Sequence, residues 1–286
     1  MLTSDLIGKG LAGALALWIG VGAAHAFDPD AVFDKNEEPQ TILRYGYTAL
    51  KEGRVDDALG AFRYGAEKQD LAATWKLGRM LQLGEGVARD DASAFRIFIG
   101  IADRYVTQVP APEDEPFVSH AIVSAGVYFL TGVPTAGQKP DVRAAEDHFY
   151  RAAALYGDAE AQFRLGWLLR SGRLGSPQGQ AAARWLTLAA RKGHAAAQSE
   201  LGDMLFQGDG VRRNRVRGLY LMSKGSLSTR ADSLRDRARA ALAEATDAER
   251  SQLVGLLSEP ERNRIYEYGL VLPGDGALSR RVSASD

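Results

Sequence analysis

GDAEAQFRLGWLLRSGRLGSPQGQAAARWLTLAARKGHAAAQSELGDMLFQGDG, residues 157–210, holds one pattern begun, completed and begun again. Ala161, Leu165, Gly166, Leu169 and Gly172 recur 36 residues later as Ala197, Leu201, Gly202, Leu205 and Gly208. Between them lie Trp185, the pair Ala189-Ala190 and Gly193. Spacings of i, i+4 and i+8 put the apolar residues on one helical face, and a glycine ends each run. Helix-turn-helix units repeated at such a period are the mark of an α-solenoid, in which each hairpin buries its face against its neighbours.

The same unit extends in both directions. Pro39 to Lys51 and Val55 to Lys68 read as two helices stopped by Gly53, the second with Ala58, Phe62 and Ala66 on one face. Ala73, Leu77, Gly78, Leu81 and Gly84 open the next hairpin, and Asp90 caps a returning helix with Ala94, Phe98 and Ala102. Ala121, Ala125, Gly126, Phe129 and Gly132 open a third, whose return after Asp141 carries Ala145, Phe149 and Ala153. The glycines Gly46, Gly78, Gly126, Gly166 and Gly202 hold equivalent positions, and their unequal spacing reflects loop length. A glycine inside a helix costs roughly 1 kcal/mol relative to alanine, so five in register imply a packing requirement. The fifth unit is degenerate in its second helix, where Gly218, Leu221 and Gly225 replace the alanines and the aromatic residue.

The expected fold is therefore all-α: a right-handed solenoid of about five hairpins over residues 39–228, with a helical C-terminal cap over 229–272. Thr229 to Asp232, Thr246 to Glu249 and Ser258 to Glu261 read as capping boxes that start the cap helices. Residues 27–38, polar and acidic, read as a linker, and residues 273–286 as a disordered tail. At the front, Lys9, the apolar run Gly10 to Ala23 and Ala24-His25-Ala26 have the layout of a secretory signal peptide, with maturation near Phe27. That run is too short to span a bilayer, so stable membrane insertion is not expected. A periplasmic location follows as an expectation.

Composition excludes several functions. A net charge of −1 gives no basic footprint for nucleic acid. The absence of cysteine removes disulfides, cysteine zinc sites and thiol nucleophiles. Gly84-Glu85-Gly86-Val87 and Gly208-Asp209-Gly210-Val211 invite a phosphate-loop reading, but neither precedes Gly-Lys-Ser/Thr and both fall at the repeat turn. His120, His148 and His194 lack metal spacing; histidine titrates near neutrality, which leaves His120 or His148 as possible pH sensors. Asp56-Asp57 and Asp90-Asp91 sit at helix starts and read as caps. Trp75, Trp167 and Trp185 occupy repeat positions and read as core. No catalytic, cofactor or metal constellation is expected. Two features break the repeat: the basic turn with Arg212, Arg213, Arg215 and Arg217, a candidate acidic-partner surface, and the loop with Pro110, Pro112, Glu113, Asp114 and Glu115, a candidate proteolysis site.

The pattern Ala-x3-Leu-Gly-x2-Leu-x2-Gly, followed by an aromatic, Ala-Ala and Gly, resembles the Sel-like repeat, a relative of the tetratricopeptide repeat. The wider layout is similar to the ExoR family of alphaproteobacterial periplasmic regulators. It rests on Ala-x-Ala-Phe-Asp at the leader's end, Tyr45-Gly46-Tyr47, Tyr64 to Lys68, Phe117 to Pro134, and Ala159 to Phe163. That resemblance implies a non-enzymatic inhibitor that binds the periplasmic domain of a membrane sensor histidine kinase, controls exopolysaccharide synthesis and motility, and is relieved by a periplasmic protease. An envelope adaptor that holds secreted enzymes or peptidoglycan is the alternative. Secreted Sel-like relatives that bind or hydrolyse β-lactams are cysteine-rich, and this chain is not.

Overall fold

The computed structural model describes residues 27–228 and 232–267. Its described residues form helices, with no β-strand beyond an isolated bridge between Val133 and Gln138. The chain divides into two compact units, Met1–Ala121 and Ile122–Asp286.

The first unit begins with a short helix, α1 (Pro29–Val32), then pairs α2 (Pro39–Lys51) with α3 (Val55–Glu67), and α4 (Leu71–Leu83) with α5 (Asp91–Arg104). The next helix, α6 (Glu115–Thr131), carries the boundary between the units. The second unit continues with α7 (Val142–Leu155), α8 (Ala159–Ser171), α9 (Gly179–Arg191), α10 (Ala195–Gln207) and α11 (Arg215–Leu227). It closes with α12 (Asp232–Glu244), α13 (Asp247–Leu256) and α14 (Glu259–Glu267). The hairpin boundaries fall where the caps and glycines put them. The side chains of Asp70, Asp90, Asp141, Asp158 and Asn214 each accept a backbone N–H in the first turn that follows. Gly84, Gly172 and Gly208 end helices in the left-handed region.

Each central glycine is a seam within its hairpin. A Cβ on Gly46 would lie 2.5 Å from the Phe62 ring, on Gly78 3.0 Å from Phe98, on Gly126 2.7 Å from Phe149 and on Gly166 2.7 Å from Leu186. The second helix drives a large side chain into the space that the first leaves empty; Phe62, Phe98, Phe149 and Leu186 are all fully buried. The degenerate fifth unit takes the same rule further. Gly202 faces the Gly218 carbonyl at 2.8 Å, Gly218 faces the Gly202 carbonyl at 2.6 Å, and Gly225 faces the Ala195 carbonyl at 2.6 Å. With no aromatic wedge, α10 and α11 meet backbone to backbone.

The glycine-rich turns are packing devices too. Gly86 adopts φ +72° and would strike Val55 at the start of α3, while Gly210 and Gly179 approach within 2.6 Å of each other's virtual Cβ. Each such turn seats on the start of the preceding second helix. A further tie was not apparent in the sequence: the buried Gln162 and Gln198 donate to the carbonyls of Ala153 and Ala190, near the end of the preceding second helix.

Both ends differ from expectation in instructive ways. Residues 27–38 are docked, not free: Phe33 is 6% exposed and clusters with Ile42 and Ala61, and the Phe27 ring sits on Gly60. A linker reading followed from the acidic residues and missed the two phenylalanines that anchor the arm. At the other end Phe206, Leu219, Met222 and Leu227 bury against Ala238, Leu242, Leu253 and Ile265 of the cap helices. Thr246 and Glu249 form the full capping box. Ser258 and Glu261 depart from it: Ser258 donates from both its N–H and its hydroxyl to Glu261, which also takes Lys224. The expected box at Thr229, the leader and the tail from 273 lie outside the described residues. The three tryptophans expected in the core are half-buried.

These seams differ in what must move when a methyl is added. Gly166→Ala meets the buried Leu186 side chain at 2.7 Å and the Ala182 carbonyl only at 3.1 Å, so after alanine's gain in helix propensity a loss of about 1 kcal/mol remains. Gly202→Ala faces a carbonyl that cannot rotate, and chemical denaturation should show a loss of about 2 kcal/mol. Equal effects at the two sites would contradict this account.

The cap carries a pH signature. The hydrogen bond from Lys224, helped by the Ser258 N–H, pulls the Glu261 carboxyl down to about 2. A depressed carboxylate stabilises the fold above its unfolded value of 4.5, and that stability is lost as pH falls toward 2. Both groups touch solvent, so Glu261→Gln should cost only about 1 kcal/mol at neutral pH. Thermal melts of the two proteins should converge only as pH falls to about 2 and below, where the carboxyl takes up its proton in the folded state as well.

Candidate interaction surfaces

The first helices of the hairpins present different chemistry in the two units. In the first unit the surface is aromatic. Trp75 on α4 lies 5.2 Å from Phe117 and 5.3 Å from His120, the latter edge-on at 85°. The indole N–H donates to His120 Nδ1 at 3.0 Å, so that nitrogen is the unprotonated one. Tyr47 on α2 is 42% exposed and stands edge-on to Phe62, and the Lys76 ammonium lies 5.7 Å over its ring. Burial and the nearby Glu85 charge raise the Tyr47 phenol above its ordinary value.

In the second unit the surface is charged and internally matched. Arg170 on α8 spans to Glu200 at 2.5 Å, Asp203 at 2.6 Å and Asp209 at 2.9 Å. Glu200 also takes Arg237 of α12 at 2.6 Å. Burial works against the Arg170 charge, but the bonds to Asp203 and Asp209 and the charge of Glu200 outweigh it and hold the proton more tightly. Beside it, Arg173 lies 5.8 Å over the half-buried Trp167.

His194 has a structural role that its lack of metal spacing does not announce. It caps α10, its Nδ1 accepting from Ala197 N–H at 3.1 Å, while Nε2 meets Glu160 at 2.8 Å and the ring stacks on Phe163. The bond from His194, against the cost of burial and with help from Arg164, holds the Glu160 carboxyl below its usual range. The available signal was positional: His194 stands where Asp70 and Asp158 stand in other repeats. His148 instead bonds the Ala144 carbonyl through Nδ1 and packs on Phe129.

The four arginines of the basic turn separate into two kinds. Arg215 is built into the fold. Its guanidinium lies 3.9 Å over Phe206 and reaches Glu249 at 2.7 Å and the Glu244 carbonyl at 2.8 Å, clamping the cap to the last hairpin. Arg213 donates to the Phe206 carbonyl at 3.1 Å. Arg212 and Arg217 remain exposed, with no side-chain hydrogen bond or ion pair among the described residues. The charge run was legible, but folding brings Glu249 to Arg215 across 34 positions.

The proline-acid loop lies within the first unit. Within it Val106 and Val109 are exposed, Val109 at 93%. Pro110 is buried, Pro112 and Glu113 are exposed, Asp114 is half-buried, and Glu115 already belongs to α6. Burial, then the charges of Glu113 and Asp70, raise the Asp114 carboxyl above its ordinary value. Among the described residues no cluster of histidine, aspartate and glutamate could hold a metal ion, and no helix is long and apolar enough to cross a membrane.

The Sel1 repeat family matches residues 71–99, 119–156, 159–194 and 195–228, segments centred on α4–α5, α6–α7, α8–α9 and α10–α11. The fold resembles the crystal structure of a Sel1 repeat protein from Oxalobacter formigenes, with a TM-score of 0.57 at 23% identity over 90% of this chain and 89% of that one. The chain is 39% identical over 186 residues to the exopolysaccharide production negative regulator of Rhizobium meliloti (strain 1021), covering 65% of this chain and 69% of the relative. It is 34% identical over 218 residues to the exopolysaccharide production negative regulator of Rhizobium leguminosarum bv. viciae, covering 76% and 78%. Glycine-seamed hairpins and four matched segments define a Sel1-repeat protein. The chain belongs to the family of exopolysaccharide production negative regulators, the ExoR family.

Arg170 holds three carboxylates at one point, so its removal leaves them uncompensated. Arg170→Ala should destabilise the second unit by about 2–4 kcal/mol, less in high salt, as followed by urea denaturation. A change under about 0.5 kcal/mol would place the network outside the fold's energetics.

Proposed function

We propose that the chain is a periplasmic, non-enzymatic regulator that lowers exopolysaccharide production by binding the periplasmic domain of a membrane sensor histidine kinase and holding it inactive, with motility under the same control. The observation that carries the regulatory part is the extended identity with two proteins named as negative regulators of exopolysaccharide production. A binding mechanism suits the architecture, since stacked hairpins offer long faces and few enclosed pockets. The aromatic surface at Tyr47, Trp75 and Phe117 supplies the side chains that dominate protein interfaces. The periplasmic assignment rests on Lys9, the apolar run and Ala24-His25-Ala26. Release by a periplasmic protease would find its most open chain at Val106 to Glu113.

Co-purification of the chain with the periplasmic domain of the kinase tests the proposal. We expect micromolar or tighter binding that Trp75→Ala weakens about tenfold, in the range of a single interface anchor. No binding, together with kinase-dependent transcription that stays flat when the gene is deleted, would favour an envelope adaptor instead.

A further inference from the structure

The chain treats two outer helix faces of the same register differently. Counting from the buried Ala58 and Phe62 of α3, the outward positions are Gly60, Tyr64 and Lys68. The N-terminal arm covers them. The Phe27 ring lies 2.3 Å from where a Gly60 Cβ would stand, and Phe33 stacks on Tyr64 at 5.6 Å and 5°. Lys68 donates to the Lys35 carbonyl at 2.8 Å. The arm, residues 27–38, brings five acidic residues and one lysine along with its two phenylalanines.

The equivalent positions of α9, counted from the buried Ala182 and Leu186, are Arg184, Leu188 and Lys192. Here the face is open. Leu188 is 41% exposed, and Tyr150 of α7, 57% exposed, stands edge-on at 6.0 Å to the half-buried Trp185. Ala183, Arg184, Thr187 and Leu188 line a shallow apolar depression. Residues 179–192 contain three cations and no acid. Arg184 and Arg191 make no hydrogen bond or ion pair among the described residues, whereas Arg143, Arg164, Arg170, Arg215 and Arg237 of the same unit are all paired.

We propose that the outer face of α9 docks an acidic, aromatic-anchored segment of a partner protein, of the chemistry that the chain's own arm presents to α3. The aromatic anchor seats against Leu188 and Trp185, and the acids face Arg184 and Arg191. Charge complementarity sets the occupant: an all-cationic helix face beside exposed apolar groups rejects basic segments and gains from acidic ones. The site is a second-helix surface and holds whether or not the partner is the kinase proposed above.

A peptide of residues 27–38, FDPDAVFDKNEE, with photoreactive benzoylphenylalanine in place of Phe33, is a ready probe. We expect it to cross-link to residues 181–192 of the purified chain. We also expect binding that weakens about tenfold in R184E/R191E and fades as salt rises. Both arginines are exposed and unpaired, so an unchanged melting midpoint will show that the variant is folded. Cross-linking at α3 alone, no binding, or binding indifferent to R184E/R191E overturns the proposal. So does an R184E/R191E-sensitive dimer that dissociates when residues 27–38 are deleted, since the occupant would then be a second copy. Binding to phosphatidylglycerol vesicles that R184E/R191E abolishes, with no peptide binding, overturns it in favour of a lipid surface.

Discussion

Close approach of two helices at a residue without a side chain is the constraint on which the rest depends. Each hairpin gives up about 1 kcal/mol of helix propensity at its central glycine. In return, the partner helix inserts a phenylalanine or leucine to full burial, worth about 1.5–3 kcal/mol per side chain. Gly46 with Phe62, Gly78 with Phe98, Gly126 with Phe149 and Gly166 with Leu186 are the same solution four times. The fifth hairpin solves the problem with less material, as Gly202, Gly218 and Gly225 let two backbones meet. What looks like decay of a motif is the tightest form of the rule.

Stacked hairpins leave apolar ends, and the chain closes the two ends by different physics. The front is covered by aromatic contact: Phe27, Phe33, Tyr45 and Tyr64 form one cluster within a short segment. The back is covered by three helices whose apolar core is supplemented by long-range charge, with Arg215 to Glu249, Lys224 to Glu261 and Arg237 to Glu200. Two of these carboxylates do double duty, Glu249 as the capping partner of Thr246 and Glu261 as the acceptor for Ser258. Cap integrity is therefore tied to ionisation in a way that the front closure is not.

What could be read from the sequence follows the range of the interactions. Helix bounds were legible because caps and terminal glycines act within one turn, and Asp90, Asp141 and Asp158 sit where the helices begin. The glycine register was legible because it recurs. Contacts that occur once, between residues far apart in sequence, were not. Arg215 read as a free cation because Glu249 lies 34 residues away, and the arm read as linker because its anchors on α3 lie across a hairpin. The tryptophans were misplaced for a different reason. A repeat fixes position along a helix, but burial depends on the neighbouring hairpin, and Trp75, Trp167 and Trp185 sit at different offsets from the central glycines or buried wedges.

That last point bears on where partners bind. Residues that obey the repeat are consumed by packing and cannot distinguish one partner from another. Specificity must reside in side chains that vary between hairpins at equivalent positions. On the first helices, position +1 from the central glycine is Tyr47, Arg79, Val127, Trp167 and Asp203 in turn. On the second helices, the position two before the buried wedge is Gly60, Arg96, Asp147 and Arg184. Only Gly60 among these last four could admit the Phe27 ring against the helix backbone, since any side chain would occupy its place. The variation thus seats the Phe27 ring on α3, and it gives α9 an exposed arginine at the position where α3 has none.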